Sequence, residues 1–356
     1  MKGTDRLMKR MTVHTNRPYE VLIGNGLIRQ AGEYLRELTS AQRAVIISED
    51  HVAPLYADTV KRSLESAGFT AELFVFPHGE NAKNMDTVMQ IYAFLMEHNV
   101  TRSDMLVALG GGVVGDTVGF AASTYLRGVD FINIPTTFLS QIDSSVGGKT
   151  GVNTSFGKNL VGTFCQPRLV LCDIDTLSTL TDDVFADGTA EALKYGLIRD
   201  KALFALLSAG DFGGQLADVI YRCVDIKREI VEHDEFDKGE RFLLNFGHTL
   251  GHAIEKQYNY ETYSHGKAVG IGMYQITKAA ERAGLTPKGT AEQIKAALRN
   301  CSLPDAIDMP VELVAQHCLH DKKRKGQTLN LVLLKEIGNA MIHTIDVAAF
   351  TDFLRA

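Results

Sequence analysis

"MLVALGGGVVGD", residues 105–116, opens with five apolar residues and breaks into three consecutive glycines. A short apolar run that ends in glycine reads as a buried strand. The glycines let the chain reverse tightly into the helix-like run that follows. Strand, glycine turn and helix make the repeating unit of a parallel α/β sheet. Gly110, Gly112 and Gly115 formally match G-x-G-x-x-G, in which a backbone without side chains approaches a pyrophosphate and a helix N-terminus supplies N–H groups. Two features depart from the ordinary dinucleotide fold. The turn follows about the third strand rather than the first, and the ribose-binding acid expected roughly twenty residues on is replaced by Pro135, Thr136 and Thr137. A tight structural turn is the competing reading.

Working outward, "AVIIS" (44–48), "AELFVF" (71–76), "VDFINIP" (129–135) and "RLVLCDI" (168–174) read as further strands, with helices over 54–67 and 84–98. Beyond about residue 180 the periodicity becomes helical, over 183–199, 201–208, 215–233, 242–257, 264–284 and 290–300. Only "TLNLVLLKEIGNAMIH" (328–343) suggests late strands. The expectation is an α/β domain with a parallel sheet over 1–175 and a mainly helical domain over 176–356. A site using both would lie in the cleft between them.

Composition narrows the class. The 356 residues are 45% hydrophobic and 22% charged with a net charge of −6, which disfavours a nucleic-acid surface. Cys165, Cys172, Cys223, Cys301 and Cys318 are odd in number, scattered and without a CxxC, as in a reduced cytoplasmic protein. No apolar run reaches the length of a membrane span, and "MKGTDRLMKR" lacks the apolar core of a secretory signal.

"NFGHTLGHAIE" (245–255) sets His248 and His252 four apart, so a helix presents both imidazoles on one face, as a divalent metal requires. Thr249 stands where a zinc protease has its glutamate, so that chemistry is excluded. Two structural helix histidines remain the alternative. "QIDSSVGGKTGVNTSFGKNLVG" (141–162) reads as an irregular glycine-rich loop carrying Lys149 and Lys158. With Arg127, Lys194, Lys227, Arg241, Lys322 and Lys323, it gives an acidic protein a set of cations suited to a small substrate with several negative charges.

Together these motifs resemble the 3-dehydroquinate synthase family. "GENAK" (79–83), "GGGVVGD" (110–116), "PTTFLSQIDSSVGGKTGVN" (135–153), "GKNLVGTF" (157–164), "GTAEALKYGLI" (188–198), "GERFLLNFGHTLGHAIE" (239–255), "HGKAVG" (265–270) and "DKK" (321–323) occur in the family's order. The resemblance runs from about Tyr19 to the end, and "DSSVGGK" with the paired "GH" motif is its most specific part. It implies a carbon–oxygen lyase that converts 3-deoxy-D-arabino-heptulosonate 7-phosphate to 3-dehydroquinate and phosphate, using NAD and one Zn2+ or Co2+, as a cytoplasmic homodimer.

The resemblance assigns the metal to Glu191, His248 and His265, and moves His252 to proton handling beside the substrate. It places NAD on Glu49, Glu80, Lys83, Gly111, Gly112, Val113, Gly115, Asp116, Thr136, Thr137, Lys149, Lys158, Thr176 and Thr179. It places substrate on Arg127, Asp143, Lys149, Asn159, Lys194, Lys227, Arg241, Asn245, His265 and one of Lys322 or Lys323, with Lys149, Arg241, Asn245 and His252 nearest the chemistry. Two departures stand out: Asp182 and Asp183 replace an Arg-Glu pair, and Asp237 replaces a Glu. Rival readings are a 2-deoxy-scyllo-inosose or epi-valiolone synthase, or a metal-dependent alcohol or glycerol dehydrogenase.

Overall fold

The computed structural model describes residues 8–259, 262–311, 313–314 and 327–355. Lys322, Lys323 and Cys318 lie outside them. The chain forms two compact units, Met1–Leu180 with Lys227–Phe236, and Thr181–Ile226 with Asp237–Ala356. The sequence reading divides the chain at 175/176 and has no return of 227–236 to the first unit. That return is made by tertiary contacts, which composition does not reveal. Lys227 Nζ donates to the Asp143 carbonyl at 2.7 Å, and the Glu232 and Glu235 carboxylates accept the backbone N–H groups of His14 at 2.7 Å and Asn16 at 3.0 Å.

The first unit runs β1 (Lys9–Val13), β2 (Tyr19–Gly24), α1 (Ala31–Leu38), β3 (Arg43–Glu49), α2 (Ala53–Ser66), β4 (Thr70–Phe76), α3 (Met85–Glu97), β5 (Met105–Gly110), α4 (Gly112–Thr124), β6 (Asp130–Pro135), β7 (Lys149–Thr154), β8 (Gly157–Phe164) and β9 (Leu169–Asp173). Seven strands form one sheet in the order β1-β2-β9-β6-β5-β3-β4, parallel except for β1 against β2. Alternate residues of β3 serve opposite faces, as the pleat dictates. Ala44 and Ile46 pack with α1 and α2, whereas Val45 and Ile47 pack with α3 and α4. Burial on both faces explains why these strands read as unbroken apolar runs.

One expectation fails here. Residues 141–162 are not a wholly irregular loop, because β7 and β8 pair as an antiparallel hairpin. Its many glycines hid it: Gly151 and Gly162 face each other across the ladder, where a β-carbon on either would crowd the opposing backbone.

The second unit holds α5 (Asp182–Arg199), α6 (Lys201–Ser208), α7 (Leu216–His233, whose last turns belong to the first unit), α8 (His248–Gln257), α9 (His265–Arg282), α10 (Thr290–Asn300), the hairpin β10 (Thr328–Glu336) and β11 (Asn339–Asp346), and α11 (Phe350–Arg355). The single helix expected over 242–257 is two pieces. A 3-10 turn covers Glu240–Asn245, and α8 starts afresh after Gly247, whose φ of 80° lies in the left-handed region that glycine alone adopts freely.

Candidate functional site

Glu49 ends β3 and the glycine turn ends β5, the neighbouring strand, with Ser48 paired to Leu109. From β3 the chain steps outward to β4 on one side and through β5 and β6 toward β9 on the other. The carboxyl ends of β3 and β5 therefore flank a topological switch point, where open α/β sheets bind ligands. Gly111 is the N-cap of α4 and offers no side chain to the helix's first N–H groups. A β-carbon on Gly111 would stand 3.1 Å from Thr137 Cγ2, one on Gly112 3.0 Å from Ser144 Oγ and one on Gly115 3.4 Å from Asn133 Oδ1. Val113 lies in the same first turn.

Beside this turn, Lys83 is buried and its ammonium donates to Asp116 Oδ2 at 2.5 Å and Asn159 Oδ1 at 2.6 Å. Burial pushes the Asp116 carboxyl up, and the Lys83 charge and hydrogen bond pull it back. Asn159, in left-handed backbone at φ 55°, donates its N–H to Asn153 Oδ1 at 2.9 Å. Asn153 in turn donates to Glu80 Oε1 at 2.8 Å. Glu80, Lys83, Asp116 and Asn159 thus belong to one network. Asn153 joins it without having been singled out in the sequence.

The remaining positions of this unit have their own settings. The Thr136 N–H donates to the Gly110 carbonyl at 3.0 Å, Thr137 bonds Ser140, and Thr176 Oγ1 donates to the Asp173 carbonyl at 2.7 Å. Thr179 Oγ1 lies 2.6 Å from the Tyr56 hydroxyl. Lys149 is exposed at the start of β7, Lys158 is half-buried in β8, and Arg127 is exposed with φ 67°. Asp143 forms an ion pair with the buried Lys227.

Glu49, His51 and His78 also gather, but their groups are engaged. The Glu49 carboxylate accepts the N–H groups of His51 and Val52 at 2.7 and 3.0 Å, His78 Nδ1 lies 2.7 Å from Asp50 Oδ1, and the two rings stack at 3.5 Å.

The second unit carries the other cluster. Thr181 caps α5, accepting from the Val184 N–H at 3.4 Å, and Asp182 and Asp183 add negative charge to its first turn. The middle of α5 is buried, and with it Glu191 and Lys194, which pair one turn apart through Glu191 Oε2. Glu191 Oε1 faces His248 Nε2 at 3.4 Å and His265 Nε2 at 3.5 Å. Those separations match the edge of a tetrahedron with metal–ligand bonds of about 2.1 Å, roughly 3.4 Å.

The outer ring nitrogens are held as well. His248 Nδ1 sits 3.1 Å from the Phe246 carbonyl and must donate to it, leaving the Nε2 lone pair toward Glu191. His265 Nδ1 lies 3.4 Å from the buried Glu255 carboxylate. Burial pushes His248 down to about 3, so its imidazole is neutral and ready to ligate. Burial also works to lower His265, but hydrogen bonds and charges from Glu191 and Glu255 outweigh it and raise the group to about 10. Positive charge is therefore stabilised between these carboxylates, and the donor set of one carboxylate and two imidazoles fits a divalent cation.

His252 is exposed, with its ring 5.4 Å from that of His248 and 6.0 Å from that of His265, and forms a second, overlapping group with Glu255 and His265. Arg241 is buried in the 3-10 turn and Asn245 is half-buried at its end. Glu255 went unnoticed in the sequence. Its signal was its place seven residues after His248 and three after His252, on the face of α8 that carries both histidines.

A doubly wound sheet with a glycine-lined switch point and a helical unit with a carboxylate–bis-imidazole cluster define the class of dehydroquinate synthase-like sugar phosphate cyclases. A 2-epi-5-epi-valiolone synthase from Streptomyces hygroscopicus subsp. jinggangensis 5008, solved with NAD+ and Zn2+ bound, superposes with a TM-score of 0.84 at 29% identity, covering 95% of this chain and 96% of that one. A 2-deoxy-scyllo-inosose synthase, complexed with carbaglucose-6-phosphate, NAD+ and Co2+, also gives 0.84, at 24% identity over 98% and 99% of the two chains.

Within that class, residues 73–187 match the 3-dehydroquinate synthase N-terminal model and 188–324 the C-terminal model. A 3-dehydroquinate synthase of Streptococcus suis strain 05ZYH33 is 48% identical over 346 residues, 96% of this chain and 98% of its own. The chain belongs to the 3-dehydroquinate synthase family, a family of lyases, and acts on a sugar phosphate. Among the described residues no helix is long and apolar enough to cross a membrane.

Proposed function

We propose that this enzyme converts 3-deoxy-D-arabino-heptulosonate 7-phosphate to 3-dehydroquinate and phosphate, with NAD and one divalent cation, as a cytoplasmic homodimer. The observation that carries this reading is the position of Glu191 Oε1, 3.4 and 3.5 Å from the Nε2 atoms of His248 and His265.

In this reading Glu191, His248 and His265 would hold Zn2+ or Co2+, which would supply a Lewis acid that lowers the cost of negative charge on a substrate hydroxyl oxygen. Gly111, Gly112, Gly115 and the first turn of α4 receive the NAD pyrophosphate. Val113, Thr136, Thr137, Thr176 and Thr179 would contribute to holding it, and Glu49, at the end of β3, would serve the adenosine ribose. When bound there, NAD would supply reversible hydride acceptance at C5, which acidifies the neighbouring C6–H without net oxidation.

The protein's groups then have distinct tasks. Lys149, Asn159, Lys194, Lys227 and Arg241 grip carboxylate and phosphate through charge-assisted hydrogen bonds, fixing the reactive conformer. Asp143 orients the Lys227 ammonium, as their ion pair suggests. Arg127 and one of Lys322 or Lys323 complete the anion-binding set. Asn245 orients substrate hydroxyls. His252, exposed beside the metal-binding imidazoles, takes the proton released from the C5 hydroxyl, a task suited to imidazole near neutrality.

The test is phosphate release from the heptulosonate phosphate by purified protein with NAD+ and Co2+, followed together with absorbance from NADH. Phosphate release without steady NADH accumulation is expected. Accumulating NADH would instead indicate a dehydrogenase, and turnover of another sugar phosphate with the heptulosonate untouched would indicate a cyclase of the inosose or valiolone type.

A further inference from the structure

His248 and His265 are each the first residue of a helix, α8 and α9. Two helix N-termini, each with positive dipole charge, therefore approach the place where a cation would bind. That arrangement is unfavourable unless negative charge offsets it. Ser264, at the N-cap of α9, does not cap the helix with its own side chain. Its hydroxyl donates instead to Asp187 Oδ1 at 2.5 Å, and the same oxygen accepts the Gly266 N–H at 3.0 Å. The Asp187 carboxylate also accepts the Lys267 N–H. Gly266 and Lys267 are the second and third residues of α9. A helix cap normally supplied by the preceding residue is here supplied by a carboxylate from another helix.

The contact is close as well as polar. A β-carbon on Gly266 would lie 2.5 Å from the Asp187 carbonyl oxygen, so glycine is what lets α9 approach α5 there. Asp187 precedes Glu191 by four residues and shares its face of α5. One face thus presents two carboxylates to the start of α9: the first holds its backbone, and the second meets the His265 ring at 3.5 Å. Lys267 Nζ adds an ion pair with Asp183 at 2.6 Å, which gives one member of the divergent Asp182-Asp183 pair a partner.

We infer that Asp187 is a positioning residue for the metal centre, capping α9 from α5 so that His265 is held opposite Glu191 and the positive helix end is offset. This rests on the metal reading of Glu191, His248 and His265.

The experiment is Co2+ titration of the purified full-length chain, read both as a dissociation constant and as the visible ligand-field spectrum, for the parent, Asp187→Ala, Asp187→Asn and His248→Ala. Thermal unfolding of the metal-free proteins reports the fold. Asp187→Ala should weaken Co2+ binding by about 10- to 100-fold, the usual effect of losing a group that orients a ligand, and should alter the spectrum. Asp187→Asn keeps an acceptor oxygen but not the charge, and should recover part of the loss.

A folded Asp187→Ala protein with parental Co2+ affinity and spectrum overturns the inference. If the alanine variant does not fold, the asparagine variant decides, because parental affinity in the absence of the charge overturns it equally. Failure of the metal reading has its own signature: His248→Ala binds Co2+ like the parent, and both conclusions fall.

Discussion

Gly272 of α9 packs directly on Gly247, the residue before His248: a β-carbon on Gly272 would collide with the Gly247 carbonyl oxygen and stand 3.0 Å from the Gly251 N atom. The start of α8 is thus seated on α9 by glycine-to-backbone contact, and the position of His248 depends on a residue with no functional group. Gly272→Ala is expected to destabilise the protein by about 1–3 kcal/mol, the usual cost of overpacking, and to weaken metal binding at the same time. Thermal unfolding with and without Co2+ measures both. A variant as stable and as tightly metal-binding as the parent would show that α8 can shift without cost.

The two histidines of the "GHTLGH" segment should separate by metal content. His248→Ala removes an imidazole from the cluster around the buried Glu191, so its loss of affinity should exceed the roughly 10- to 100-fold typical of outer groups. His252→Ala leaves that set intact and should retain metal while losing rate. Metal analysis after dialysis, beside the phosphate-release assay, distinguishes them. Equal metal loss from both would return His252 to the ligand set.

Metal uptake should depend steeply on pH. In the metal-free chain the His265 pKa is raised from 6.5 to about 10, so between these values binding must displace its proton. Co2+ affinity should rise by about tenfold per pH unit across that window. The sign for stability is opposite. A raised pKa contributes stability that is fully present below 6.5 and is lost as pH rises through about 10. Chelator-treated protein should lose this contribution over that range, while protein loaded with Co2+ should not. A flat affinity profile would mean that His265 holds no proton there.

Lys83→Met would leave the Asp116 carboxylate beside Asn159 without its cation. Breaking a fully buried ion pair from one side costs about 3–5 kcal/mol; because Asp116 is only partly buried, a smaller loss is expected, with weaker NAD binding. The double variant Lys83→Met/Asp116→Asn should be more stable than the single one, because no unpaired, partly buried charge is left behind. Denaturant melts and NAD titration by fluorescence provide the check. A double variant less stable than the single would point to roles for the two residues other than their pairing.

Local pattern determined a good deal of this protein. The apolar runs of β3, β5, β6 and β9, ending in turns, carry their own signal because both faces of a parallel sheet are buried. The helices α5, α6, α7, α9 and α10 are legible from 3.6-residue periodicity for a similar reason. The strands of the 149–164 hairpin are hidden because glycine supplies neither propensity nor alternation, and the break at Gly247 lies inside an apparently continuous helical pattern.

The cluster of Glu191, His248 and His265 is beyond periodicity altogether. Spacing favours His248 with His252, since it registers only neighbours on one helix, whereas Glu191 and His265 come from α5 and α9. Family resemblance names Glu191, His248 and His265, but only the tertiary structure brings their donor atoms to tetrahedral-edge distances. The same holds for Glu255 behind His265, Asp187 beneath α9 and Asn153 beside Lys83. A one-dimensional pattern records what a residue prefers locally, whereas these roles depend on which distant backbone or side chain the folded chain brings within about 3 Å, the range in which a hydrogen bond forms.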